Sequence, residues 1–142
     1  MKQDIHFILQ DDDDQSSTGA VLSIAPIQDA TTTFAPTSID LAGYEGAEII
    51  IAAGVRDQGT LTFTIKESDT DTSFSAVAAA DMRGGTSVVT ITTGSTVHLR
   101  GYVGNKRYLK IAGAQTTASN GIPCTLLVLR THAKNKGKVS NV

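Results

Sequence analysis

Residues 60–66 read TLTFTIK, and this short stretch restricts the fold more tightly than any other. Leu61, Phe63 and Ile65 alternate with Thr60, Thr62, Thr64 and Lys66. Successive side chains on a strand point to opposite faces. The alternation therefore predicts a strand with one buried face and one wet face. A slip of one residue would exchange the two faces, so the sheet that holds this strand needs a fixed register.

The rest of the chain follows the same logic. Residues 47–53, AEIIIAA, hold three adjacent isoleucines and predict a strand buried on both faces. The link VRDQG at 55–59 is short and polar, and it predicts a hairpin between these two strands. Residues 38–41, 86–93, 96–100, 106–112 and 124–131 also read as strands, and 5–9 and 20–25 are weaker candidates. In 106–112, Arg107, Leu109 and Ile111 share one face, and Lys106, Tyr108 and Lys110 the other. Residues 74–82 are alanine-rich, which favours a helical turn, but the all-β context favours a short strand or irregular stretch. About eight short strands at regular spacing predict an antiparallel β-sandwich or jelly roll.

The 142 residues suit one domain with a real core, built on Val, Ile, Leu and Ala because Trp is absent. The expected division is an N-terminal arm with weak strands at 1–35, a sandwich at 36–131, and a basic tail at 132–142. The two ends carry opposite charge. Lys2 stands against Asp4 and Asp11 to Asp14, and Arg130, Lys134, Lys136 and Lys138 gather at the other end. The early apolar run at 5–9 is too short for a signal peptide and is followed by four aspartates, so a soluble chain made in the cytoplasm is expected.

Chemistry is sparse. Cys124, the single cysteine, lies in the apolar run IPCTLLVL at 122–129 and reads as a buried, inert thiol. His6, His98 and His132 fall in no metal-binding or catalytic spacing. The acidic runs at Asp11–Asp14 and at Glu67, Asp69 and Asp71 are the candidates for Ca²⁺, but a solvated loop and a polar turn explain them more simply. The segment GYVGNKR at 101–107 lacks the spacing of a phosphate loop and reads as a turn in which Gly104 and Asn105 take positive φ. Around it, Tyr102, Lys106, Arg107, Tyr108 and Lys110 form a basic, aromatic patch. Three charges on a chain of net charge −2 point to protein contact rather than nucleic acid. No catalytic, cofactor or metal residue is assigned, and no membrane contact is expected.

Several stretches together carry a resemblance. SIDLAGY at 38–44, EIIIAAG at 48–54, GTLTFTIKESD at 59–69, FSAVAAAD at 74–81 and above all GYVGNKRYLKI at 101–111 resemble small tailed-bacteriophage head proteins of the capsid decoration or cement type. The resemblance spans residues 36–135 and implies a β-sandwich or jelly-roll virion protein with no catalytic residues. It implies the major capsid protein as partner and a homo-dimer or homo-trimer on the outer capsid surface. The alternatives are a head-fibre base or tail protein, and a receptor- or carbohydrate-binding sandwich, which the lack of Trp disfavours.

Overall fold

The structure, a computed structural model, describes residues 22–27, 33–34, 37–116 and 121–133. It is an all-β sandwich of two antiparallel sheets. The strands are β1 (Leu22–Ile27), β2 (Thr33–Phe34), β3 (Ile39–Asp40), β4 (Tyr44–Ala53), β5 (Thr60–Ser68), β6 (Ser75–Ala76), β7 (Met82–Arg83), β8 (Val88–Ile91), β9 (Thr96–Tyr102), β10 (Tyr108–Thr116) and β11 (Cys124–Ala133). The first sheet has the order β1-β11-β4-β9-β7. The second has the order β2-β10-β5-β6, with β3 also pairing β10 and β8 also pairing β5.

Alternation decides which atoms meet between the sheets. From the second sheet, Leu61, Phe63 and Ile65 of β5 and Leu109 and Ile111 of β10 point inward and are fully buried. From the first, Ile49 and Ile51 of β4 meet the same core, with Leu126 and Val128 of β11 directly beside them. Phe63 stands opposite Gly113 in the β5–β10 register, where the missing side chain leaves room beside the ring. Thr60, Thr62, Thr64 and Lys66 lie on the outer face, as their parity requires.

Two expectations are corrected. β4 and β5 do not form a hairpin: β4 pairs β11 and β9, whereas β5 pairs β10, β6 and β8. Each strand carries a complete apolar inner face, and such faces are buried by opposing one another across a gap of about 10 Å, not by lying side by side. The polar link crosses that gap. It is pinned where the Gly54 N–H donates to the Pro123 carbonyl at 2.7 Å and the Ser95 N–H donates to the Gly54 carbonyl at 2.8 Å. Nor is β4 buried on both faces. Ile49 and Ile51 are inside, but Ile50 sits half-exposed on the outer face.

The alanine-rich stretch at 74–82 holds both of the forms its composition offered. Two residues pair with β5, and a 3-10 turn over Ala79–Asp81 follows. The weak candidate at 20–25 corresponds to β1, whereas residues 5–9 lie outside the described residues. Among the described residues, no helix is long and apolar enough to cross a membrane.

The two faces of β5 should respond very differently to truncation. Phe63→Ala is expected to cost about 3–5 kcal/mol, as for other buried aromatics, while Thr62→Ala on the outer face should stay within about 0.5 kcal/mol. Urea denaturation midpoints of the two variants check this difference.

Candidate functional site

The connection from β9 to β10 steps from one sheet to the other and carries the residues singled out in the sequence. Tyr102 ends β9 with its ring turned inward, and it is only 1% exposed. Its hydroxyl donates to Glu67 Oε2 of β5 at 2.7 Å and accepts the Lys106 N–H at 3.0 Å. One phenol thereby ties both sheets and the connection together. Burial, followed by the hydrogen bond to Glu67, pushes its pKa well above the ordinary phenol value. Tyr102 is therefore a core residue, and its place in a surface patch is corrected.

The connection folds back over this ring. A Cβ at Gly104 would lie 2.5 Å from the Tyr102 hydroxyl oxygen, so only glycine fits there. The reason is close approach and not a left-handed backbone: neither Gly104 nor Asn105 takes the positive φ read from the sequence.

Arg107 and Lys106 sit at the surface, and both are engaged within the chain. The Arg107 guanidinium donates through Nε and Nη2 to the two carboxylate oxygens of Asp40, at 3.0 and 2.8 Å. Asp40 Oδ1 also accepts the Ala42 N–H at 2.8 Å, and the Asp40 carbonyl accepts from Arg130 at 3.2 Å. Arg130 in turn lies over the Tyr44 ring at 4.3 Å. The network joins β3, the turn after it, β11 and the β9–β10 connection. Lys106 pairs with Asp69. Arg107 stacks over Tyr108 at 5.0 Å, and the Lys110 ammonium lies 5.4 Å from the Phe74 ring centre.

Of the five predicted residues, four therefore reach the surface. An open groove of about 410 Å³ runs beside them, between residues 41–45 and 104–107. Tyr44 and Glu45 line one wall, and Asn105, Lys106 and Arg107 the other. The partners Asp40, Glu67 and Asp69 were not assigned from the sequence. They lie 67, 35 and 37 residues from Arg107, Tyr102 and Lys106 respectively, and separations of that size hide such pairings in the sequence.

The candidate cation clusters divide. Asp11 to Asp14 lie outside the described residues. Glu67 and Asp69 are engaged with Tyr102 and Lys106, and among the described residues no three His, Cys, Asp or Glu side chains gather as a metal site. His98 is half-buried on β9, beside Ile51. Cys124 is a free, buried thiol whose pKa burial pushes up to about 11, which keeps it protonated and unreactive near neutral pH.

No family model and no curated protein matches the sequence. Among solved structures, the chain is similar to the crystal structure of the PBSX exported protein XepA, with a TM-score of 0.56 and 13% identity. That match covers 87% of this chain but spans only 42% of the length of XepA. A second match, to Bacillus endospore appendages described as disulfide-linked pili, has a TM-score of 0.44 and 10% identity, over 80% of this chain and 88% of that one. The likeness to XepA is one of fold.

Two measurements test the network. Tyr102→Phe leaves Glu67 without its donor and the Lys106 N–H without its acceptor, and it should destabilise by about 1–3 kcal/mol in urea titration. Asp40 is held below its ordinary carboxylate pKa of 3.8, first by the hydrogen bond from Arg107. A carboxyl whose folded pKa is depressed adds stability above its unfolded pKa and loses it as pH falls toward the folded value. Arg107→Ala should therefore raise the Asp40 pKa toward 3.8, read by NMR titration, and flatten the loss of stability below about pH 4.

Proposed function

We propose that this chain is a non-enzymatic structural protein of a tailed-phage virion that binds the outer capsid surface and stabilises it. The observation that carries this reading is the state of the GYVGNKRYLKI segment. Its charged and aromatic groups hold the fold and a surface groove together, and none is set up as a nucleophile, base or ligand. A rigid, pinned edge of this kind suits contact with another protein surface. The resemblance of residues 36–135 to phage decoration and cement proteins supports it, and the likeness of fold to the PBSX exported protein XepA is compatible with it.

On this reading the partner is the major capsid protein, met by a homo-dimer or homo-trimer, with no cofactor or nucleic acid. Arg107, Tyr108, Lys106 and Lys110 present the contact edge, and the groove beside Tyr44 accepts a side chain of the partner. Attachment at many lattice points turns a modest contact into a stable shell, because each bound copy locally restrains the same particle.

Quantitative mass spectrometry of purified particles tests this. The expected outcome is a copy number of the same order as the major capsid protein, together with co-sedimentation of added protein with heads that lack it. A trace copy number, as for a tail or fibre component, or the failure of heads to bind the protein, would overturn the reading.

A further inference from the structure

The outer faces of the two sheets differ in a way that a lone sandwich does not require. On the first sheet, Leu127 of β11, Ile50 of β4 and Leu99 of β9 stand directly opposite one another in one row. The next row holds Thr125, Ala52 and Val97. Leu99 is 54% exposed and Val97 65% exposed. The row before holds Leu129, Glu48, Gly101 and, on β7, the exposed Arg83. Glu48 is half-buried there; its Oε2 and the Arg83 side chain both lie beside Gly101, and among the described residues no ion pair includes Glu48. Contiguous apolar rows in water mark a contact surface more often than isolated exposed side chains do.

The second sheet carries the complement. Lys66 and Lys110 are directly opposite partners on its outer face. Like charges at this position destabilise a strand pair, and among the described residues neither lysine meets a carboxylate. Beyond them come a row of Ala112, Thr64 and Val88 and a row of Ala114, Thr62 and Thr90. These side chains are short, and they form a flat face of methyl and hydroxyl groups. On both sheets, then, a charged row is followed by two rows of uncharged side chains, at the same strand spacing of about 6.7 Å per row. Both charged rows lie toward the Tyr102 end of the sandwich, since Glu48 neighbours Ala47, the partner of Tyr102, and Lys66 neighbours Glu67.

We propose that copies of this chain associate head to tail, with the apolar outer face of the first sheet of one copy packed on the threonine face of the second sheet of the next. Glu48 then meets the Lys66–Lys110 pair, and the Leu127–Ile50–Leu99 row lies on Thr64 and Ala112. The two charged rows are at the same end, so successive copies keep the same end up and are related by rotation. A contact between two different faces closes into a ring if the rotation permits. The outer faces of the two sheets point away from each other, so the array stays open unless a rotation between copies closes it, and a two-fold dimer cannot use the contact. This assembly stands independently of the capsid reading.

Native mass spectrometry and sedimentation velocity on the full chain test the contact. Wild type is expected to form assemblies larger than a dimer. Leu99→Glu should leave the circular dichroism spectrum unchanged and give monomer. Glu48→Lys, and separately Lys66→Glu with Lys110→Glu, should each weaken association about tenfold or more, because like charges then face each other. An equimolar mixture of the two charge-reversed proteins should restore association, since every contact in an alternating array of the two variants regains opposite charges. A monomeric wild type overturns the proposal. So does an oligomer that survives Leu99→Glu, or one that ignores the lysine reversals, which would place face against like face or a different partner on it. Failure of the mixture to reassemble, after each variant alone has dissociated, also overturns it. None of these results depends on whether capsids bind the protein.

Discussion

Everything in this molecule depends on two strands, β4 and β5, turning their apolar faces toward each other across the sandwich. Ile49 and Ile51 from one and Leu61, Phe63 and Ile65 from the other are fully buried. Their neighbours in register, Val128 and Leu126 on β11 and Ile111 on β10, extend the same layer sideways. With no Trp and few aromatic residues, the core has little large surface to bury at any single point. It relies instead on many aliphatic side chains held in register, so the register is as important as the residues.

That constraint explains why the polar bridge from Tyr102 to Glu67 matters. Hydrophobic contact between two sheets is not directional and permits sliding. A hydrogen bond from the end of β9 to β5, with the Lys106 N–H on the same oxygen, fixes one sheet relative to the other. The Arg107–Asp40 pair and the Arg130 contacts do the same at the neighbouring edge. The Tyr102 bridge is the buried part of this set, whereas the Arg107–Asp40 pair is exposed and Arg130 Nε is buried without a hydrogen-bond partner. The cluster of charge in this segment is thus first an architectural device.

Much of this was legible in the sequence, and the boundary between what was and what was not is physical. Alternation in 60–66 and 106–112 placed Phe63, Ile65, Leu109 and Ile111 inside, because parity along a strand is a local property. The three isoleucines of 49–51 were read as doubly buried, since composition does not say whether anything covers the second face. The hairpin between β4 and β5 failed because a short polar link serves equally to turn a strand beside its neighbour or to cross a sandwich. Tyr102 was read as a surface aromatic because its partner Glu67 lies 35 residues away. Gly104 was assigned a backbone role when its real constraint is the ring beneath it, which no local pattern records.

The same limit bears on function. A local pattern can reveal a catalytic motif, because such motifs place reactive groups at fixed spacing on one element. It reveals an assembly surface poorly, because such a surface is a row across strands that are distant in sequence. Leu127, Ile50 and Leu99 are unremarkable in their own segments and become a stripe only when β11, β4 and β9 lie side by side. Lys66 and Lys110 likewise become a like-charge pair only in the β5–β10 register. Among the described residues, the inner faces are filled by aliphatic side chains and Lys106 and Arg107 are paired within the chain, whereas Leu99 and Val97 stay exposed and Lys66 and Lys110 meet no carboxylate on the outer faces.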